Sequence, residues 1–341
     1  MKTILGTICL VLAMLSSSWT AMAMPMPQEE SNPDLCMGQI VKIAVSVDSF
    51  DEFVRNADST SFKSIDGVLF YKNKLIAYPG LKTDESYNIP SQAVSIAEGA
   101  FAYSKEPYLR SLSFPAECMH IPSDLSFYEG LSNVEEYSVE AGNPVYASMD
   151  GYVVEKATNT LIAYPAGRKI KNLSIPDSIR IIGEGAIAYN KSLEHIRLPE
   201  TLVSIGDFAF YWCDALKTID FGSSLEEIGV SAFEACNQIK EVIFPASLKT
   251  IDPLAFGQAD SLQTVFISNG CETICDAAFL GCPLREVHLP PSITYFGEQV
   301  FGDIDDYEFD GPIKIYVTKG SFAEKFVREF IPGANVITGT P

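Results

Sequence analysis

Apolar residues return along most of this chain in two nested rhythms. The coarse one is a block that recurs as Ile182-Gly-Glu-Gly-Ala-Ile187, Ile205-Gly-Asp-Phe-Ala-Phe210 and Ile228-Gly-Val-Ser-Ala-Phe233. It continues as Ile251-Asp-Pro-Leu-Ala-Phe256 and Ile274-Cys-Asp-Ala-Ala-Phe279, and closes in a degenerate copy, Phe296-Gly-Glu-Gln-Val-Phe301. The last residues of these blocks are 23 apart four times and then 22. A fixed period of this length marks a solenoid, whose units cannot bury an apolar face alone and must stack on their neighbours.

The fine rhythm lies inside each unit. Leu193-x-x-Ile196-x-Leu198-Pro199 is matched by Leu216-x-x-Ile219-x-Phe221, Ile239-x-x-Val242-x-Phe244-Pro245, Leu262-x-x-Val265-x-Ile267 and Leu284-x-x-Val287-x-Leu289-Pro290. Upstream, Ile170-x-x-Leu173-x-Ile175-Pro176 and Leu109-x-x-Leu112-x-Phe114-Pro115 fit as well. The Ile-x-Leu part alternates inward and outward like a short strand, and proline ends it. A second apolar pair (Leu202 and Ile205, Leu225 and Ile228, Leu248 and Ile251, Cys271 and Ile274) predicts another short strand. Glycine after isoleucine then turns the chain into the Ala-Phe segment, a helical turn at most. The expected fold is a repeat solenoid, mainly β with short or helical turns, built from units of about 23 residues with Ile, Leu and Phe in internal ladders.

The pattern Leu-x-x-Ile-x-Leu-Pro-x-x-Leu-x-x-Ile-Gly-x-x-Ala-Phe-x-x-Cys resembles the BspA-like class of leucine-rich repeats, over about residues 88–302. Ser64-Ile-Asp-Gly-Val-Leu-Phe70 with Leu75-Ile-Ala-Tyr-Pro79, and Ser148-Met-Asp-Gly-Tyr-Val-Val154 with Leu161-Ile-Ala-Tyr-Pro165, also resemble that family's Asp-Gly hairpin modules. Asp-Gly between alternating apolar residues is itself a turn signal. The resemblance implies a leucine-rich-repeat-like fold and a secreted or surface protein that interacts with host proteins or other cells.

The resulting division has a signal segment at 1–23 and a flexible leader with an N-terminal cap at 24–60. The repeats follow at 61–312, with hairpin insertions at 64–79 and 148–165. The cap is expected to hold a strand from Ile40 to Val47 and a helix from Phe50 to Asn56. Residues 313–341 are expected to hold a strand, Ile313 to Val317, and a capping helix. Ser321 is its N-cap, and Phe322, Phe326, Val327 and Phe330 lie on one face. Residues 1–23 read as a secretory signal: Lys2 is the positive start, Ile4 to Met14 the apolar run, and Ala21-Met-Ala23 the cleavage site. Cleavage near Ala23 places the mature chain in the periplasm, at the cell surface or outside the cell.

Composition narrows the partners. With 24 Lys and Arg against 44 Asp and Glu, the net charge is −20, which excludes the basic footprint that nucleic acid or anionic lipid demands. No second long apolar run suggests membrane insertion. Of eight cysteines, Cys9 leaves with the signal segment, so an odd number remains. Cys213, Cys236 and Cys282 each follow a repeat phenylalanine by three residues, which suits buried free thiols; a disulfide staple is the alternative. Cys271 and Cys275 lack the spacing of a zinc or redox knuckle.

Catalytic signals are missing. The three histidines, His120, His195 and His288, belong to no motif, and no serine sits in a Gly-x-Ser-x-Gly elbow. The glycines at 183 and 185 belong to a repeat turn rather than a phosphate loop. The reading is a non-catalytic binding or adhesion module with no cofactor and no metal. Its candidate protein-binding face is the outward ladder of the first strands: Arg197, Asp220, Ile243, Phe266 and His288, with Ser174 before them. The apolar pair Ile243 and Phe266 either covers itself or forms the centre of that face. A second candidate is a row of aromatics in the turns, Tyr103, Tyr189 and Trp212, with Tyr211 beside it. These would serve a glycan if their rings share an exposed plane.

Overall fold

The structure is a computed structural model that describes residues 44, 47–56, 61–102, 108–302, 313–331 and 333–339. The leader, the signal segment, Cys36 and Tyr103 lie outside the described residues.

Each coil begins with a strand in which alternate side chains point inward. The first strands form three parallel sheets. One joins Ser86–Asn88, Ser111–Phe114 and Glu136–Val139, and the next joins Asn172–Ser174, His195–Arg197 and Thr218–Asp220. The third joins Glu241–Ile243, Thr264–Phe266, Glu286–Leu289, Lys314–Val317 and Asn335–Thr338. The second strands are two residues long and pair in parallel on the repeat register, Ile182 with Ile205, Ile205 with Ile228 and Ile228 with Ile251.

The third side is not a helical turn. Left-handed residues occur twice in each coil there, at Phe208, Ser231 and Leu254, and again at Tyr189, Trp212, Ala235 and Gln258. Between them a backbone ladder runs from coil to coil: Phe210 N–H donates to Ala232 O at 2.7 Å, and Phe233 N–H to Ala255 O at 2.7 Å. The turn thus satisfies its polar groups by stacking, as a buried backbone must. Gly229 shows how tightly the coils meet. A Cβ there would lie 2.5 Å from Asp207 Oδ1, the oxygen that accepts the Val230 N–H at 2.8 Å.

The ladders inside match the sequence pattern. Phe210, Phe233, Phe256 and Phe279 are fully buried. Their rings stack in order with centroids 4.7, 4.9 and 5.8 Å apart and planes within 18°. Beside them, Cys213, Cys236 and Cys282 are free and buried. Each thiol donates to a carbonyl 26 residues earlier, Ile187, Phe210 and Phe256, at 3.3, 3.2 and 3.0 Å. Burial pushes the Cys213 and Cys282 thiols up to about 12, so they stay protonated and unreactive.

The two Asp-Gly modules join this scheme. Phe62–Ile65, Val68–Tyr71 and Lys74–Ala77 form an antiparallel meander, as do Tyr146–Met149, Tyr152–Glu155 and Thr160–Ala163. The last strand of each takes the place of a second strand and pairs in parallel with the next coil. Tyr78 and Tyr164 then stand in the phenylalanine row, donating their N–H to Ala100 O and Ala186 O at 2.7 Å.

The ends depart from expectation in part. Of the expected strand at 40–47, Ala44 and Val47 are described; Ala44 is helical and Val47 irregular. Helix α1, Asp51–Asn56, follows. A short helix α2, Leu125–Gly130, interrupts the repeats and is capped by Asp124, which accepts the Phe127 N–H. Helix α3, Phe322–Phe330, starts at Ser321, whose Oγ accepts the Glu324 N–H at 3.1 Å. Its buried side chains are Ala323 and Val327, while Phe322 and Phe330 stay exposed and Phe326 stacks on Phe296 at 4.3 Å. Phe326 thus packs against the same core as Val327, while Phe322 and Phe330 lie at its exposed edge. The chain then returns as a further first strand, Asn335–Thr338, parallel to Lys314–Val317.

Candidate interaction surface

The outward ladder exists, but it is divided. Ser174, Arg197 and Asp220 are in register on one sheet, and Ile243, Phe266 and His288 on the next. The division falls where Phe221 and Phe244 meet at the strand ends, with ring centroids 5.5 Å apart. The expected single row thus becomes a polar segment and an apolar one. Arg197 and Asp220 are exposed and form a loose ion pair, Nε to Oδ2 3.9 Å, of little energetic weight.

The apolar segment is longer than its sequence period suggested. Tyr316 pairs with His288, and Ile337 with Tyr316, so the row runs Ile243, Phe266, His288, Tyr316, Ile337. The connection carrying residues 303–312 breaks the 23-residue spacing, so periodicity alone stops at His288. The His288 ring lies 4.3 Å from Phe266 and 4.2 Å from Tyr316, the latter at 3°. Its Nε2 meets Glu286 Oε1 at 2.7 Å. These rings consume one another's faces and present their edges outward, while Ile243 at the end is 59% exposed. Parallel strands hold the side chains with no freedom to splay, a preorganised arrangement that suits hot spots.

The other outward position carries charge and hydroxyls. Glu194 is clasped between Lys171 and Lys217, both at 2.6 Å, and these hydrogen bonds hold its carboxyl down to about 2. His195 Nδ1 lies 2.7 Å from Thr218 Oγ1. Among the described residues no group of three or more His, Cys, Asp or Glu is placed to hold a metal ion. No helix among them is long and apolar enough to cross a membrane.

In the turn row, Tyr189, Tyr211 and Trp212 are brought together; Tyr211 and Trp212 lie nearly parallel, at 11° with centroids 6.1 Å apart, and Tyr189 stands across them. Tyr189 stands edge-on to Tyr211 (83°) and to Trp212 (72°). Tyr189 and Tyr211 are half-buried and Trp212 is exposed.

Parallel coils of about 23 residues, with a hydrophobic ladder along each side, define a leucine-rich-repeat solenoid. More closely, residues 180–308 match the family of BspA type leucine-rich repeat regions, in six copies. Solved structures share the fold. A leucine rich cell surface protein from Faecalibacterium prausnitzii A2-165 is 21% identical with a TM-score of 0.51, covering 75% of this chain and 64% of that one. The pneumococcal vaccine antigen PcpA is 18% identical with a TM-score of 0.50, covering 79% of this chain and 71% of that one. No curated protein matches the sequence.

Proposed function

We propose that this protein is an exported, non-catalytic binding or adhesion module that recognises a protein partner through the outward face of its C-terminal first-strand sheet. The observation that carries this reading is the in-register row Ile243, Phe266, His288, Tyr316 and Ile337. A solenoid has no need of an apolar row on its outside, since its core is already closed by the inward ladders. Aromatic and aliphatic anchors at the centre of a rigid surface are where interface energy concentrates. The pattern of residues 1–23 supports export, with cleavage near Ala23. Arg197 and Asp220, on the neighbouring sheet, supply a polar flank.

The test begins by isolating a partner with the immobilised protein and measuring its affinity by calorimetry. The double variant Ile243→Ser and Phe266→Ser should stay folded by circular dichroism, because neither side chain points inward. It should lose roughly 2 kcal/mol or more of binding energy. Substituting the exposed Gln238, off this row, serves as the control. Unchanged affinity in a folded double variant eliminates this face.

A further inference from the structure

Trp212 sits where the fold gains least from it. Its position in the coil is left-handed, φ 56°; the coil before has Tyr189 there and the coils after have Ala235, Gln258 and Gly281. A bulky side chain is unfavourable in that region and needs a compensating gain. Burial does not supply it, since Trp212 remains 47% exposed. On one side Tyr189 meets it edge-on at 6.3 Å. On the other, the row continues with Ala235, too small to cover an indole, so that flank stays open.

The surroundings are acidic. Glu234 lies in the next coil beside Tyr211, and its backbone oxygen accepts the Trp212 N–H at 3.0 Å. Glu129, from α2, lies within electrostatic reach of both Tyr189 and Tyr211. Among the described residues neither carboxylate belongs to an ion pair. Burial raises the Glu234 carboxyl above the usual range, with a hydrogen bond from Ser231 partly opposing it. Cations do lie over rings elsewhere, Lys72 on Tyr71 and Arg168 on Tyr164, but not here.

We infer that Trp212, walled by Tyr189 and Tyr211 and flanked by Glu234 and Glu129, is a docking point for an arginine side chain of a protein partner. Indole is the strongest aromatic acceptor for a cation, and the planar, weakly hydrated guanidinium stacks on it better than an ammonium does. The carboxylates complete the charge balance and disfavour anionic glycans. The three rings do not form one flat sugar platform, because Tyr189 stands edge-on to Tyr211 and Trp212, which are themselves nearly parallel at 11°. This site lies on the turn side of the coils, away from the first-strand sheet, so it stands or falls independently of the reading above.

The test uses the full chain and the tripeptide acetyl-Gly-Arg-Gly-amide, with a citrulline counterpart that keeps the shape and removes the charge. The indole N–H signal of Trp212, assigned by its loss in Trp212→Phe, is followed by NMR during titration. Saturable shifts are expected, with the arginine peptide binding at least about threefold tighter than the citrulline peptide. Glu234→Gln should weaken arginine binding about two- to fivefold, and Trp212→Ala should abolish the effect on the remaining Tyr189 and Tyr211 signals. Equal affinity for both peptides, no saturation, or no change in Glu234→Gln would overturn the inference. So would a methyl glucoside that saturates the same signal more tightly than arginine.

Discussion

The regular coils beyond residue 170 and the coils before the second Asp-Gly module face the same packing problem and solve it with different materials. Their cores form two clusters that meet at that module, with Tyr152, Val154 and Leu161 in one and Tyr146, Val153 and Ala163 in the other. In the regular half a single arrangement is copied: near-parallel phenylalanines, buried thiols bonded to carbonyls, and isoleucines in register. In the N-terminal half each irregularity brings its own polar fitting. Asn143 is buried and donates to Pro115 O and Cys118 O while accepting from the Val145 and Tyr146 N–H groups. At the module turns, Lys82 meets Asp66 and Arg168 meets Asp150. The buried hydroxyls of Tyr78 and Tyr87 have no hydrogen-bond partner; in the regular half the same holds for Asn190 Nδ2. Repetition lets an apolar solution serve many coils, whereas a singular coil depends on singular residues.

The sharpest way to break this comparison is Phe233→Ala. Removing one ring from the middle of the stack should cost about 3–5 kcal/mol by leaving a cavity between two neighbours. Hydrogen exchange should locate the lost protection in the coils beyond 170. A loss below about 1 kcal/mol in equilibrium unfolding would refute the repeat register.

Asn143→Ala is the counterpart in the other half. Four hydrogen bonds disappear, and Pro115 O keeps only the Cys118 N–H, so about 2–4 kcal/mol is expected. Here the protection should fall in the N-terminal cluster. If both variants loosened both halves equally, the two clusters would be one cooperative unit.

A smaller effect tests the outer surface of the regular half. Glu194 has a folded-state carboxyl at about 2, below its ordinary 4.5, because Lys171 and Lys217 bond to it. A depressed pKa stabilises the fold above the ordinary value, and that contribution is lost as pH falls from about 4.5 towards 2. Glu194→Gln should therefore flatten the acid limb of the stability profile slightly and leave neutral stability little changed, since exposed pairs are weak.

The smallest expected change sharpens the contrast most. Tyr78→Phe removes a buried hydroxyl that has no partner and retains the stacking on Phe101 at 5.3 Å. The free energy of urea unfolding should be unchanged or rise by up to about 1 kcal/mol. A clear loss would show that the hydroxyl holds an internal water.

The repeat period located the strands of the regular coils, the phenylalanine row and the buried thiols, because each depends on local alternation and a constant step. Other features followed from three-dimensional neighbours. The left-handed third side could not be read from Phe208 or Trp212, whose types disfavour that backbone; stacking hydrogen bonds from coil to coil enforce it. Nor could the division of the outward row be read, since the 23-residue step continues unchanged from Asp220 to Ile243 while the two strands fall in separate sheets.

By itself, then, the sequence determined which side chains face inward, since burial follows a period of two within each strand and of about 23 between coils. It also determined where the coils stack and which residues can occupy the outward face. Tertiary structure alone decided which outward residues share a surface. It joined Tyr316 and Ile337 to His288 across an irregular connection, separated Asp220 from Ile243, and set Tyr189 on edge against Trp212. The physical reason is that inward positions are selected one by one by the loss of water. The geometry of a surface depends on how neighbouring coils meet, and no single coil encodes that.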